Sequence, residues 1–412
     1  MSEQTPDNAR TGPMAVGRRG LLGYVGTAVV GAGVGAAAGA AAASTGPVEQ
    51  VARGGGETIS PYGAHQAGVA LPMAAWSETL ALDLLPEVAR TPDREVLARL
   101  LRVLTGDIEA LMDGRGAPGD PTPWLASAGA DVAVTVGLGL RFFDQGWGLS
   151  APAGFTAVPP MVHDRLEERW SGGDLVLVVA GREATTAGHV VRRLISDLAP
   201  FASVRWRQQG SWNGYGAHGE PVTGRNLFGQ VDGSANPAPG TDLFDRTVWI
   251  DGGAWSGGTT LVVRRIRMDL PTWDELTREE QEESIGRDLD TGAPLSGGAE
   301  SDDVDLRARR NGRYVVAEQS HVRRSHPDLN RGRRIFRKGA NYEVFTERGS
   351  EVGLIFSSYQ ANVAGQFVPL QQAIDAADLL NEWTTAVGSA QFAILPGFEQ
   401  GGWLGERLLA DS

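Results

Sequence analysis

The chain has 412 residues, 42% of them hydrophobic and 21% charged, with a formal net charge of -13. That length allows two domains with substantial cores, while the acidic balance argues against nucleic acid as the main partner, because phosphate binding needs a basic surface. No cysteine is present, which excludes disulfides, zinc–thiolate sites, iron–sulfur clusters, thiolate-ligated haem and cysteine nucleophiles together.

Residues 1–44 read as a twin-arginine export signal. Gly17-Arg18-Arg19-Gly20-Leu21-Leu22 leads into an uncharged Gly- and Ala-rich run up to Ala43, closing on Ala41-Ala42-Ala43-Ser44. The run is long enough to cross a bilayer, so a permanent anchor is the competing reading. With the signal removed no membrane span is expected, and export leaves the protein extracellular, on the cell surface or in a periplasm. Residues 45–60 are aperiodic and read as a linker.

Residues 61–220 then give one unit. A strand is predicted at 75–84 from its alternation, and Thr91-Pro92-Asp93 opens a helix with Thr91 as cap and Pro92 in the first turn. Leu97, Leu100, Leu101, Leu104, Ile108 and Leu111 mark that helix's apolar face. Strands follow at 131–140 and 175–180, a helix at 183–198 and a strand at 201–207. The order is β-α-β-β-α-β, a ferredoxin-like unit. Residues 221–412 repeat it: a strand at 259–268, an acidic helix from Pro271, and a long polar excursion over about 286–338. A hairpin follows at 341–345 and 351–359, then a helix at 366–383 and a last strand at 392–395. The fold class is α+β, with two ferredoxin-like domains built on antiparallel sheets.

Chemistry concentrates in two stretches. From Asn226 to Pro237, Gly229-Gln230-Val231-Asp232-Gly233 sets one carboxylate among turn signals, where glycines permit unusual backbone conformations and close approach of a flat ligand. An ordinary turn with a capping Asp fits the same letters. The excursion carries His321-Val322-Arg323-Arg324-Ser325-His326 and ends in Arg333-Arg334-Ile335-Phe336-Arg337-Lys338. Long irregular segments inside compact domains are usually functional or disordered. Of the six histidines, His163 and His189 read as surface residues, and His65 and His218 as loop residues. His321 and His326 stand five apart, which fits no common zinc pattern without further His or Cys. One imidazole suffices as the axial ligand of a haem iron, so His321 is the candidate, against the plain reading of a backbone-bonded loop histidine. Cleaving an O–O bond heterolytically needs a group that moves a proton between the two oxygens and a fixed cation for the departing one. Asp232 and Arg337 supply those types. Other motifs fail: Asp232, Ser234 and Asn236 begin like a calcium loop, but Leu243 stands where a bidentate Glu is required. The acids from Glu279 to Glu283 read as a solvated helix face. The arginines at 331–337 fit haem propionates or a generic surface patch.

These residues resemble a known family. Gly229-Gln230-Val231-Asp232-Gly233 followed by Ser-Ala-Asn-Pro is similar to the GxxDG motif of the dye-decolourising (DyP-type) haem peroxidases, in their exported, EfeB-like branch. Similarity also runs through His65-Gln66-Ala67-Gly68, Thr259 to Arg265, Ile285-Gly286-Arg287, His321-Val322-Arg323-Arg324, Gly353-Leu354-Ile355-Phe356 and Asp378 to Trp383, covering roughly residues 60–403. The resemblance implies a duplicated ferredoxin-like fold of the dimeric α+β barrel type, with haem b in the C-terminal half. It implies His321 as proximal iron ligand, Asp232 as distal acid–base and Arg337 as distal arginine. Gly229, Gly233, Arg323, Leu354 and Phe356 would bind the cofactor, and Asp375 or Asp378 would support His321. Gln230-Val231 departs from the family, in which an aromatic commonly follows the first glycine. The implied function is a haem peroxidase that reduces hydrogen peroxide through a ferryl intermediate and oxidises phenolic or dye-like donors, with Trp or Tyr residues relaying electrons to the surface. The alternative is an exported haem- or iron-handling protein, deferrochelatase-like, with incidental peroxidase activity. Assembly into a homo-oligomer is left open.

Overall fold

In the computed structural model the described residues are 58–127, 131–144, 146–214, 222–347 and 349–410. The leader and most of the linker lie outside them. Among the described residues, eight long strands carry the architecture. The first half contributes β1 (Trp76–Leu84), β2 (Ala133–Gly139), β3 (Leu175–Gly181) and β4 (Ala202–Ser211). The second half contributes β5 (Thr259–Met268), β6 (Phe336–Thr346), β7 (Gly349–Gln360) and β8 (Thr384–Ile394). They close into a barrel in the order β1-β3-β2-β8-β5-β7-β6-β4, every pairing antiparallel. Each half has the same internal order, fourth-first-third-second, so the duplication expected from element order is written in the sheet itself. Two short seams join the halves: Phe392 opposite Gly139 with Ile394 opposite Gly137, and Ser211 opposite Asn341.

Side chains alternate between the barrel's interior and its outer face. In the first half that outer face is covered by α1 (Arg94–Met112) and α2 (Ala184–Leu198). Leu97, Leu101, Leu104, Val190, Val191 and Leu194 bury against Leu80, Leu82, Val134, Val136, Leu175 and Leu177. At about 1.5–3 kcal/mol for each fully buried aliphatic side chain, packing rather than helix propensity holds these helices. Asp93, not Thr91, caps α1, its carboxylate accepting from Glu95 N at 2.8 Å. Glu183 caps α2 through Thr186 N at 3.0 Å. His189, read from sequence as a surface residue, is buried on α2 and bonded to the equally buried Asp120 at 2.7 Å.

The second half departs from the sequence-based expectation in four places, the first being the last strand, predicted at 392–395 but running over Thr384–Ile394 as β8. The helix predicted from Pro271 is a single turn, Leu270–Trp273, followed by a separate helix α3 (Arg278–Ile285) that Thr277 and Glu280 close with a capping box. β6 begins at Phe336, five residues earlier than predicted, with Arg337 opposite Ser358 and Lys338 opposite Ser357. Arg337 is therefore held by a strand, not a loop. Finally, the helix predicted at 366–383 is α4 (Val368–Ala377), preceded by a π turn and broken at Asp378, which is extended at φ -79° and ψ 130°. No helix among the described residues is long and apolar enough to cross a membrane.

Candidate active site

On the outer face of the second-half sheet, Arg264, Ile266 and Met268 of β5, Arg337 of β6, Leu354 and Phe356 of β7, and Thr384 and Ala386 of β8 line a cavity. It has two adjoining chambers of ≈ 140 Å³ and ≈ 130 Å³ that share Gln230, His321, Arg337, Phe356 and Ile374. Many walls around little volume make a slot, a shape suited to a flat ligand.

One wall is the Asp232 loop. Arg225 bridges Val231, Asn226 N donates to Gln230 O at 3.1 Å and Asp232 N to Gly224 O at 2.9 Å, a miniature hairpin turning at Gly229 with φ 80°. Asn226 Oδ1 accepts from Phe228 N at 3.0 Å and locks the turn. Asn236 then clamps the far strand, its Nδ2 donating to Arg337 O at 2.8 Å and its Oδ1 accepting from Arg337 N at 3.2 Å. The result puts Arg337 Nε 3.3 Å from Asp232 Oδ1, with side chains 25% and 16% exposed. Asn226 Nδ2 donates to the other oxygen, Oδ2, at 3.3 Å.

The opposite wall carries His321, first residue of a short helix, His321–Ser325. Its Nδ1 lies 2.6 Å from Asp378 Oδ2, and Asp378 Oδ1 accepts from Leu380 N at 2.9 Å. The helix break at Asp378 is what turns this carboxylate onto the imidazole. Burial is the largest influence on His321 and opposes its charge, but the Asp378 carboxylate, by charge and by hydrogen bond, outweighs it and lifts the imidazole above its usual range. With Nδ1 engaged, Nε2 is the nitrogen available to the cavity that His321 lines.

The structure therefore brings Asp232, Arg337, His321, Leu354 and Phe356 together around one slot. It also separates the two candidate acids. Asp378 supports His321, whereas Asp375 accepts from Val162 N at 2.8 Å and from His163 N at 3.0 Å and pairs with His163 Nδ1 at 2.9 Å. Three other candidates, Arg323, Gly229 and Gly233, are not brought to the slot's lining. Arg323 is not among the lining residues: its guanidinium donates to Leu306 O at 2.8 Å and lies over the Tyr314 ring. Gly229 and Gly233, at φ 80° and 127°, shape the loop without lining the slot. Gln230, where the family resemblance leads one to expect an aromatic, lines both chambers and accepts from Asn226 Nδ2 at 3.1 Å. Sequence reasoning missed the clamp made by Asn236, visible only as a turn letter, and the buried Arg264–Asp164 ion pair in the cavity wall.

Among the described residues no three His, Cys, Asp or Glu side chains gather as a metal site. A metal held by His321 must bring most of its ligands with it, as a macrocycle does. Apolar Ile266, Leu354, Phe356 and Ile374 suit such a ring's faces, and Arg333 and Arg334 at the second chamber suit its acidic substituents.

Comparison with known proteins agrees with this geometry. Residues 66–211 match the family description "Dyp-type peroxidase, N-terminal" and residues 223–399 match "Dyp-type peroxidase, C-terminal". A dye-decolorizing peroxidase of Thermobifida fusca is 36% identical over 98% of this chain and 99% of its own length. A deferrochelatase of Escherichia coli K12 is 30% identical over 84% of this chain and 86% of its own. The crystal structure of a DyP-type peroxidase from Cellulomonas bogoriensis superposes with a TM-score of 0.80 at 43% identity, covering 86% of this chain and 98% of that one. Both halves of the barrel and every residue of the His321–Asp378 and Asp232–Arg337 pairs fall inside the matched segments, and the chain belongs to the Dyp-type peroxidase family.

Proposed function

We propose that this peroxidase works on hydrogen peroxide at a haem b ligated by His321, with Asp232 moving the proton, Arg337 supplying the fixed cation, and phenolic or dye-like molecules as electron donors. The observation that carries the proposal is the Asp232–Arg337 contact of 3.3 Å facing the same slot as the imidazole that Asp378 orients at 2.6 Å. Haem, when bound, supplies the redox-active iron. His321 would hold that iron through Nε2, with Asp378 accepting from Nδ1–H to fix the tautomer and make the ring a stronger donor. Asp232 would take a proton from one peroxide oxygen and return it to the other, so that the O–O bond breaks with water as the leaving group and the two electrons come from the haem. Arg337 would stabilise the negative charge that builds on the departing oxygen before that proton reaches it, a role for a fixed cation. Leu354 and Phe356 exclude water from the slot, which strengthens both effects.

The test is an absorption spectrum followed by rapid mixing with peroxide. A Soret band lost in His321→Ala, and a fast peroxide reaction lost in Asp232→Ala and Arg337→Leu with haem retained, are the expected results. A wild-type protein no faster than free haemin with peroxide overturns the proposal. The deferrochelatase relative favours a second reading, a haem- or iron-handling protein whose peroxidase activity is incidental. It predicts metal-free porphyrin fluorescence accumulating from haem in the absence of peroxide. The proposal also places the mature protein outside the cytoplasm, the twin arginines Arg18 and Arg19 directing export. Replacing both by Lys should retain it inside the cell, and unchanged export of that variant rejects the leader assignment.

A further inference from the structure

The barrel's interior is filled at one end by Ala81, Val176, Trp206, Val263 and Phe392. Elsewhere it opens into a cavity of ≈ 440 Å³ lined by residues of β1, β2, β3, β6 and β7 and of the segment 59–74. Its polar lining is unusual. Ser77 and Thr79 of β1, Thr135 of β2, and Ser357 and Tyr359 of β7 face it. Thr79, Thr135, Ser357 and Tyr359 are only 4%, 1%, 7% and 1% exposed, yet none of the five hydroxyls makes a hydrogen bond among the described residues. None of the five oxygens is shut off from the cavity space, so each can bond an occupant there.

The sixth polar group is Lys338, the only lysine in the chain. Its Nζ donates to Gly68 O at 2.7 Å, which leaves its remaining N–H groups for the cavity. The one carboxylate in the lining, Asp131, is paired with Arg182 at 2.8 Å. Burial alone pushes Lys338 down to about 7. Ala133, Val178, Ala180 and Ile355 make the rest of the wall apolar. One unneutralised amine, five hydroxyls and aliphatic walls complement a small molecule with a single anionic end and an apolar body. We propose that the barrel interior is a second ligand site, taking a small carboxylate whose charged end sits on Lys338 and whose body lies between β1, β2 and β7. The site is separate from the peroxidase slot, because Arg337 and Lys338 are neighbours on β6 and project to opposite faces of the sheet.

An anion in this cavity favours the ammonium form of Lys338. Tyr359, held neutral by burial, and the internally paired Asp131 and Arg182 are the other ionisable groups of the lining. Below pH of about 7 the amine is already charged, and above it binding takes up a proton, so affinity falls about tenfold per pH unit.

The probe is benzoate, with benzamide as its neutral counterpart, titrated into the full haem-loaded protein by calorimetry. Since the chain has one lysine, labelling with [ε-13C]lysine reports Lys338 through a single side-chain resonance. Benzoate is expected to move that resonance without moving the haem absorption band, and to bind about tenfold or more tightly than benzamide. Lys338→Met should abolish the difference between the two probes, and Thr135→Val should weaken benzoate while the lysine resonance still responds. A lysine resonance that benzoate leaves unmoved, affinity unchanged in Lys338→Met, or binding that shifts the haem band and vanishes in Arg337→Leu each overturns the proposal.

Discussion

Replacing Asn236 by Ala removes the clamp that sets Asp232 beside Arg337. Its two bonds to the Arg337 backbone, at 2.8 and 3.2 Å, connect positions 101 residues apart. Each neutral hydrogen bond contributes about 0.5–1.5 kcal/mol, so about 1–3 kcal/mol is at stake. Water can partly replace the bonds at this half-buried site, which favours the lower end, about 1–2 kcal/mol. The kinetic effect should be larger. At 3.3 Å between partly exposed side chains, the Asp232–Arg337 pair is worth no more than about 1 kcal/mol by itself and cannot hold the loop. A shift of about 1 Å in a catalytic group costs up to about 100-fold in rate. Stopped-flow mixing of haem-loaded Asn236→Ala with peroxide should show a loss of about ten- to a hundredfold. Resting absorption should be unchanged, because His321 and Asp378 lie outside the clamp. Asn236→Asp retains the acceptor for Arg337 N but presents an oxygen to Arg337 O, and should be as slow as the alanine variant. Wild-type kinetics in Asn236→Ala, or loss of haem from it, refutes this account of the loop.

Three further outcomes follow from named contacts. Asp378→Asn replaces the charged acceptor 2.6 Å from His321 Nδ1 with a neutral one; haem affinity should fall about 10–100-fold, measured by haem transfer to an acceptor protein, while Asp375→Asn retains haem as the wild type does. Lys338→Met removes an amine whose native value near 7 lies below its ordinary 10.5. The native state then binds fewer protons than the unfolded chain between those values, so the burial penalty is full below pH 7 and fades as pH rises towards 10.5. The variant's stability advantage in urea should therefore shrink by about 2–3 kcal/mol between pH 6 and pH 9, and a pH-independent difference rejects the reading. The rings of His65 and Trp249 stack at 3.8 Å, and Trp249, Phe244 and Phe336 follow at 5.8 and 5.0 Å, ending on β6 one residue before Arg337 and on the opposite face of the sheet. If this file of rings carries electrons from the surface, Trp249→Phe lowers kcat/KM for a bulky dye and spares a small phenol, and an unchanged ratio removes Trp249 from the route.

Much of this was legible from sequence, for physical reasons that also explain the failures. β1, β2, β3 and β5 declare themselves because apolar packing covers most of their residues, and the repeated element order suffices for the ferredoxin-like duplication. Asp232, Arg337 and His321 stood out as residue types that peroxide chemistry needs, and the structure brings them round one slot. The start of β6 was invisible because Arg337 and Lys338 put charge on both faces of the strand, where the usual pattern has one apolar face. Each charge faces a cavity, which no local pattern encodes. Asp378 sits in an apolar run that reads as helix throughout. Its extended conformation is set by contacts distant in sequence, the bond to His321 and that from Leu379 N to Gln319 O at 2.9 Å. His189 looked like a surface residue because its buried partner, Asp120, lies 69 positions away.

The two halves share one topology, yet only the second leaves room for a site on its outer face, and the difference lies in the connections. In the first half α1 and α2, 19 and 15 residues long, lay continuous aliphatic faces over the sheet and close its outer surface. In the second half the connection from β5 to β6 is residues 269–335, whose helices are only 4, 8 and 5 residues long. The returning helix, α4, has 10. Such short elements touch the sheet face, as Trp273 and Ile285 do beside Met268 and Leu354, but cannot seal it, so Ile266, Met268, Leu354 and Phe356 also line the slot. The irregular connection satisfies its backbone through turns and side chains such as Arg225, Arg287 and Arg323, which donate to carbonyls within it. That arrangement allows His321 to be offered across the gap at a fixed position. Filling the slot with a flat cofactor then restores to the second half the apolar burial that α1 and α2 give the first. Haem binding should for that reason raise the unfolding midpoint of the second half's elements more than those of the first, an outcome that amide hydrogen exchange of apo and haem-loaded protein resolves strand by strand.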